Sequence, residues 1–69
     1  MEFIRKNTAK NWKPKYRIMQ GDRQIGELFK DYSLDCYFVI CPKAGLIRLS
    51  GNQNAAKRQA RAVLKADGL

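Results

Sequence analysis

Histidine is absent from this 69-residue chain, which removes the side chain that most often serves as a general base and as a neutral metal ligand. The two cysteines and the scattered acidic residues give no zinc-binding spacing, and no nucleophile can be matched with a base. Glu27, Asp31 and Asp35 could form an acidic cluster near one end of a sheet, but we expect them to neutralise nearby lysines. We therefore expect no metal and no cofactor, and we predict that the protein is not an enzyme.

Cysteine is scarce, and Cys36 and Cys41 stand five residues apart within one predicted strand. An odd spacing puts their side chains on opposite faces, where the geometry for a disulfide between them is poor. We predict that both are reduced and pack as small hydrophobic residues; an intermolecular disulfide or a reactive thiol is the alternative. No apolar run approaches the roughly 18 residues of a membrane span, and the amino-terminal segment lacks the apolar stretch of a signal peptide. We expect a cytoplasmic protein that does not enter a membrane.

Acidic residues are few: 6 Asp+Glu stand against 14 Lys+Arg, for a formal net charge of +8. Glu2 is the only carboxylate between Met1 and Gly21, and there is none between Lys43 and Ala66. The first stretch carries Arg5, Lys6, Lys10, Lys13, Lys15 and Arg17, and the second carries a carboxy-terminal stripe of Lys57, Arg58, Arg61 and Lys65. Clustered positive charge is typical of proteins that bind a polyanion, so nucleic acid is the expected partner.

The chain is long enough for one domain, and a domain of this size buries only about 60% of its unfolded surface. We assign residues 1–14 to a flexible basic N-terminal arm and residues 15–69 to a single small α+β domain. Alternation, turn residues and β-branched content predict strands at Tyr16–Met19, Gln24–Phe29, Asp35–Cys41 and Leu46–Leu49. Gly21–Asp22 and Pro42–Gly45 supply turn chemistry between them. The predicted fold is a three- or four-stranded antiparallel sheet, in the order β-β-β-β-α, with one C-terminal helix packed on one face.

A helical period begins near Gln53 and continues to Asp67, with Ser50 or an asparagine available as the N-cap and Gly68 placed to end it. The apolar positions of one face are Ala56, Ala60, Val63 and Leu64. Lys57, Arg61 and Lys65 recur every four residues as a stripe, with Arg58 beside them and no glutamate between them. The stripe has two interpretations: a solvated basic face, or a set of phosphate contacts.

The predicted strand Asp35–Cys41 is apolar on both faces, so a single helix cannot cover it completely. If Phe38 and Ile40 face the helix, Tyr37 and Val39 face outward, joined by Arg17 and Arg23 of the first hairpin. Such a basic and aromatic face could lie in a major groove or on single-stranded bases. The N-terminal arm or a second copy of the protein, as a homodimer, could cover it instead.

Trp12 stands among Lys10, Lys13 and Lys15 in the predicted arm. An aromatic ring flanked by lysines can stack on a base while the cations hold phosphates. The arm could equally be a disordered solubilising tail, or Trp12 could dock on the sheet as a lid.

The hairpin Tyr16–Phe29, the strand Asp35–Cys41 and the helix through Ala55–Leu64 together resemble the three-stranded-sheet-plus-helix DNA-binding modules. These include the arm-site-binding domains of phage tyrosine recombinases and the plant ethylene-response-factor type. The resemblance covers about fifty residues of the chain, and the predicted strand Leu46–Leu49 departs from it. It implies that the sheet enters the major groove, supported by the helix, and that Arg17, Arg23 and Tyr37 read the bases.

The segment Phe38–Leu64 also resembles the second half of a double-stranded-RNA-binding domain, in which a strand pair precedes an alanine-rich helix. That resemblance implies that Lys57 and Arg58 grip phosphates. The family opens with a helix, whereas Met1–Lys15 lacks a helical pattern. The small, basic, compact chain also resembles many phage-encoded proteins.

These observations predict a small non-enzymatic nucleic-acid-binding protein that contacts phosphates through the helix stripe and the arm, with Trp12 and Tyr37 available for stacking. A ribosome- or RNA-associated accessory protein would use the same chemistry on another target. The alternative is a small phage- or plasmid-type regulator that binds an acidic surface of a host protein through its exposed sheet face or edge.

Overall fold

The computed structural model describes residues 1–5 and 15–68 of the chain. Its elements are the strands β1 (Glu2–Arg5), β2 (Lys15–Gln20), β3 (Arg23–Asp31), β4 (Cys36–Cys41) and β5 (Gly45–Arg48), and the helix α1 (Gln53–Ala66). The strands form one sheet in the order β1-β2-β3-β4-β5, and each pairs antiparallel with its neighbour. The predicted α+β class, the antiparallel sheet and the single C-terminal helix are confirmed.

The strand β1 corrects the predicted strand count, because the sheet has five strands rather than three or four. Glu2–Arg5 belongs to the stretch that we assigned to a flexible arm, yet it pairs with β2, with Phe3 opposite Ile18. The rest of the predicted arm, residues 6–14, lies outside the described residues.

Two glycine turns set the ends of the hairpins. Gly21 has φ +63° and is the first of the two residues between β2 and β3, the place where a tight hairpin turn requires positive φ. Gly45, with φ +75°, pairs with Cys41 and opens β5 after a three-residue connection. Both turns fall where the sequence predicts them.

The hydrophobic core lies between α1 and one face of the sheet, where the helix packs over β3 and β4. Ala56, Ala60 and Leu64 are buried on the sheet-facing side of the helix. The small alanine side chains let the helix approach closely, and Leu64 fills the space beside them. The buried core comprises Tyr16, Ile18, Ile25, Leu28, Tyr37, Val39, Cys41, Leu49, Ala56, Ala60 and Leu64. Full burial of a side chain such as Leu28 or Val39 stabilises the fold by about 1.5–3 kcal/mol.

The prediction that Tyr37 and Val39 face outward is wrong. Tyr37 is 3% exposed and Val39 fully buried beneath the helix, whereas Ile40 on the opposite face is 41% exposed. The helix covers the face that stays apolar across the neighbouring strands. The other face carries Arg17 and Glu27, which would be costly to bury.

A bulge in the β2–β3 pairing, at Ile18 and Met19, lets both Ile25 and Leu28 reach the core. Gly26 stands at this bulge, where the backbones approach closely. A Cβ atom there would lie 2.7 Å from the carbonyl oxygen of Ile40 in β4.

Side-chain hydrogen bonds stabilise both ends of α1. The Asn52 side chain caps the amino end by accepting hydrogen bonds from the backbone N–H groups of Asn54 and Ala55. At the other end the Asp67 carboxylate accepts from the backbone N–H of Lys43 at 3.0 Å and of Ala44 at 2.9 Å. The helix is therefore anchored to the β4–β5 turn, and its orientation over the sheet is fixed.

Both cysteines are buried and free, so no disulfide links them. Cys41 belongs to the core cluster and Cys36 is buried outside it. The described residues contain no helix that is both long and apolar enough to cross a membrane.

Candidate functional site

Five cations on the side of the molecule that carries the helix have no carboxylate partner among the described residues, whereas Lys30, the register partner of Tyr37 on that same side, pairs with Asp35. The five are Arg5 of β1 and Lys57, Arg58, Arg61 and Lys65 of α1, and we refer to them as the helix-side basic surface. Because α1 lies over β3 and β4, its cations approach β1 and β2 only through their long side chains. The helix contains no acidic residue that could neutralise them.

Lys57 and Arg61 extend over aromatic rings of the first two strands. The Lys57 ammonium lies 4.7 Å from the ring centroid of Tyr16, and the Arg61 guanidinium lies 4.9 Å from that of Phe3. Lys57 also lies 6.0 Å from the Phe3 ring, at the limit of a useful cation–π contact. These two cations therefore connect the helix to β1 and β2 in addition to contributing positive charge to the surface.

Tyr16 connects the helix to β2. Its ring is buried, and its hydroxyl accepts a hydrogen bond from the Gln53 side-chain amide in the first turn of α1. Arg5 is the register partner of Tyr16 on β1, so it extends the basic surface from the helix to the sheet edge.

Arg58 and Lys65 are exposed, and neither forms an ion pair or a ring contact with any residue that the structure describes. Arg5 is exposed as well. The three side chains are free to bind an anion without breaking a contact of the fold.

The opposite face of the sheet, which we call the open sheet face, has a different character. One row across all five strands consists of Ile4, Arg17, Glu27, Ile40 and Leu46. The next row consists of Lys15, Phe29, Phe38 and Arg48. The row of Arg17 exposes three aliphatic side chains, Ile4 at 43%, Ile40 at 41% and Leu46 at 60%.

Side chains of the open sheet face contact one another through aromatic stacking and an ion pair. The rings of Phe29 and Phe38 stack across β3 and β4 with centroids 5.7 Å apart. Lys15 and Glu27 approach within 4.0 Å on the neighbouring strands. The face therefore mixes apolar groups with both signs of charge, unlike the helix-side basic surface.

The acidic residues have structural roles. Asp35 pairs with Lys30 at 3.3 Å, and the Asp31 carboxylate accepts from the backbone N–H groups of Ser33 and Leu34. With the Lys15–Glu27 pair, these contacts confirm the predicted pairing with lysines for Glu27 and Asp35, whereas Asp31 caps a turn instead. No cluster of acidic or cysteine side chains suited to a metal ion occurs in residues 1–5 and 15–68.

The structure distributes the predicted site residues over three places. Lys57, Arg58, Arg61 and Lys65 stand together on the helix side, as predicted from their spacing. Arg17 lies on the open sheet face with Lys15, and Arg23 is exposed beside the β2–β3 turn. Lys10, Trp12 and Lys13 lie outside the described residues.

Tyr37 does not join any of these groups, because it is buried in the core. Burial raises the pKa of its hydroxyl, and the nearby charges of Lys30 and Arg5 lower it in part. At 3% exposure the residue offers no open ring face on which a base could stack.

Sequence reasoning missed Arg5 and Phe3 as parts of the helix-side surface, and Phe29 and Phe38 on the open sheet face. The alternation in β2 does indicate its two faces, since Tyr16 and Ile18 are apolar and Arg17 between them is charged. A regular register through the Gly21 turn would put Phe29 on the side of Tyr16 and Ile18, and only the bulge at Ile18 and Met19 moves it to the side of Arg17.

The two surfaces have different chemical capacities. The helix-side basic surface can hold several anionic groups in a line, and the open sheet face can bury apolar area.

No protein-family model, curated protein or solved structure matches the chain.

Proposed function

We propose that this protein is a small non-enzymatic nucleic-acid-binding module that contacts mainly phosphates through its helix-side basic surface. The observation that carries the proposal is the set of five cations on one side of the molecule, with no carboxylate among the residues of α1. Lys10, Trp12 and Lys13, which stand between β1 and β2 in the sequence, are proposed to add further contacts.

The energetics of the helix support a polyanionic partner. Lys57 with Arg61, and Arg61 with Lys65, are like-charge pairs four residues apart, each of which costs about 0.2–0.5 kcal/mol. Contacts with Tyr16 and Phe3 offset this cost for Lys57 and Arg61 by about 0.5–1 kcal/mol each. Lys65 has no such contact among the described residues; its place in the last turn suits the helix dipole, and a phosphate contact would further offset its repulsion with Arg61.

The spacing of the cations suits a phosphate backbone. At about 1.5 Å per residue, Lys57 and Lys65 are separated by about 12 Å along the helix axis. That distance corresponds to about three or four phosphate steps of a duplex strand, measured along its axis at about 3.4 Å each. Arg5 broadens the surface across the helix rather than along it.

The test is a fluorescence-anisotropy titration with labelled duplex DNA, single-stranded DNA and duplex RNA at several salt concentrations. Five phosphate contacts predict that log affinity for duplex DNA falls against log salt with a slope of about −4.5. Arg58→Gln should reduce the magnitude of that slope by about 0.9 and weaken binding to every sequence alike.

Arg48→Gln is the matched control, because Arg48 is also an exposed arginine but lies on the open sheet face. Both variants remove one charge, so an effect of net charge alone would be equal in the two. A flat salt response of the unsubstituted protein, or equal losses in the two variants, would contradict the proposed surface.

The second candidate is a small regulator that binds an acidic surface of a host protein. The exposed row of Ile4, Ile40 and Leu46 beside Arg17 favours it, since apolar area next to a cation suits a protein partner. It predicts saturable, salt-sensitive capture of one host protein that Leu46→Lys weakens, together with weak and non-saturable association with all three nucleic acids.

A further inference from the structure

We propose that the open sheet face binds a second copy of this chain and forms a symmetric homodimer. Three of the five exposed large hydrophobic side chains of the described residues, Ile4, Ile40 and Leu46, lie in one row of this face. Phe29 and Phe38 extend the apolar area into the next row.

The charge distribution favours this face for self-association, because repulsion between two copies is weakest there. A chain of net charge +8 repels its copy over most of its surface, and the helix-side basic surface repels it most. The open sheet face is the least repulsive part, because Glu27 lies there beside Arg17 and Lys15, with Arg48 apart from them on β5. A copy of the chain can meet opposite charges on this face, whereas a polyanion would meet a carboxylate at its centre.

The charges in the row of Arg17 favour one position for the two-fold axis, the one that pairs Arg17 with Glu27. An axis that runs across the strands along this row puts every strand against itself, so that Arg17 meets Arg17 of the second copy. An axis along β3 puts Glu27 against Glu27. An axis parallel to the strands and between β2 and β3 instead puts Arg17 against Glu27, and Ile4 against Ile40, twice by symmetry. This arrangement is compatible with the aligned packing of two sheets.

The axis leaves β5 outside the contact. Four strands of each copy overlap, and Leu46 of the fifth extends beyond the partner's β1. Four strands spaced about 4.8 Å apart, with about five residues each at about 3.3 Å, give a contact of roughly 19 by 17 Å. This area, about 320 Å² per partner, is well below the roughly 800 Å² per partner of a standard specific interface, so the dimer is weak and forms only at raised concentration.

Dimerisation would have a consequence for binding that rests on the proposed function. With the two sheets face to face, both helices lie on the outside and the two helix-side basic surfaces point away from each other. One dimer would then hold two separate segments of nucleic acid, and binding both to one flexible strand would strengthen the overall association.

The test is sedimentation velocity of the full chain without nucleic acid, so its outcome is independent of the proposed function. The mass should rise from that of the 7.9 kDa monomer toward twice that value as concentration increases. Ile40→Lys should keep the protein monomeric, whereas Leu46→Lys should associate like the unsubstituted chain. The two positions are matched, because both are exposed aliphatic residues of the same row.

A charge exchange tests the register separately. Arg17→Glu alone should abolish the dimer, and Arg17→Glu combined with Glu27→Arg should restore it, while circular dichroism verifies that each variant is folded. A monomer at every concentration would overturn the proposal and leave the face to a host protein. Equal losses in Ile40→Lys and Leu46→Lys, or failure of the charge exchange to restore a dimer in a folded protein, would overturn the assigned axis.

Discussion

Substitution of Gly26 by alanine should destabilise the fold, although alanine usually stabilises a strand relative to glycine. The new Cβ would lie 2.7 Å from the Ile40 carbonyl oxygen and 3.3 Å from a methyl group of Leu64. Because one of these neighbours is backbone, β3 and β4 must separate, and overpacking of this kind costs about 1–3 kcal/mol. Loss of a ladder hydrogen bond adds about 1 kcal/mol, and the smaller entropy of the unfolded chain returns about 0.4–1 kcal/mol.

The net loss of about 1–3 kcal/mol corresponds to a fall in Tm of about 4–8 °C for each kcal/mol in a domain of this size. Thermal and urea unfolding followed by circular dichroism would measure it. Gln24→Ala, an exposed change on the same strand, is the control and should stay close to the unsubstituted protein. A Gly26→Ala variant as stable as the control would refute the close approach of β3 and β4.

Three further predictions concern the helix anchor and the buried titratable groups. Asp67→Ala should lower the free energy of unfolding by about 1–2 kcal/mol in urea titrations, because it removes both hydrogen bonds to the β4–β5 turn; an unchanged midpoint would contradict the anchor. Burial holds the pKa of Tyr37 above its ordinary value of 10.0, so stability is fully present below pH 10 and is lost as pH rises through the folded-state pKa. Tyr37→Phe should therefore show a shallower alkaline loss of Tm than the unsubstituted protein, and equal losses would argue against this burial. Burial, reinforced by the nearby Asp67 carboxylate, raises the pKa of the Cys41 thiol, so iodoacetamide should label Cys41 only under denaturing conditions, as mass spectrometry of the labelled peptides would reveal.

Local chemistry made β2 to β5 and the helix predictable. The helix was expected at Gln53–Asp67 and spans Gln53–Ala66. Asn52 caps it and Gly21 forms the hairpin turn because their conformations depend on immediate neighbours in the chain. The spacing of the helix cations also follows directly from the period of a helix.

The strand β1 could not be predicted in the same way. Glu2–Arg5 is short, and its two central residues, Phe3 and Ile4, are both apolar, so the segment has no clear alternation. It becomes a strand through pairing with β2, a contact between distant parts of the chain. The inclusion of Arg5 in the helix-side basic surface depends on that pairing, and no local pattern indicates it.

The buried face of β4 also could not be predicted from the residue pattern of that strand alone. In β4, Tyr37 and Phe38 are both aromatic, and either could face a helix. The register with β3 decides between them, because Val39 stands opposite Leu28 whereas Ile40 stands opposite Glu27. Because we assigned the wrong face of β4 to the core, we expected Tyr37 to contact nucleic acid, whereas the residue is buried in the core.

The order of the strands has a consequence for how the chain acquires its structure during synthesis. Every strand pairs with its neighbour in sequence, so sheet pairing can begin as each hairpin leaves the ribosome, and such local contacts favour fast folding. The helix that covers the core face follows the last strand. Until Ala56 to Leu64 have emerged, Ile18, Leu28 and Val39 remain open to water and to other chains. The nascent chain is therefore prone to aggregation until α1 has been synthesised, and chains truncated before α1 would keep this core face exposed.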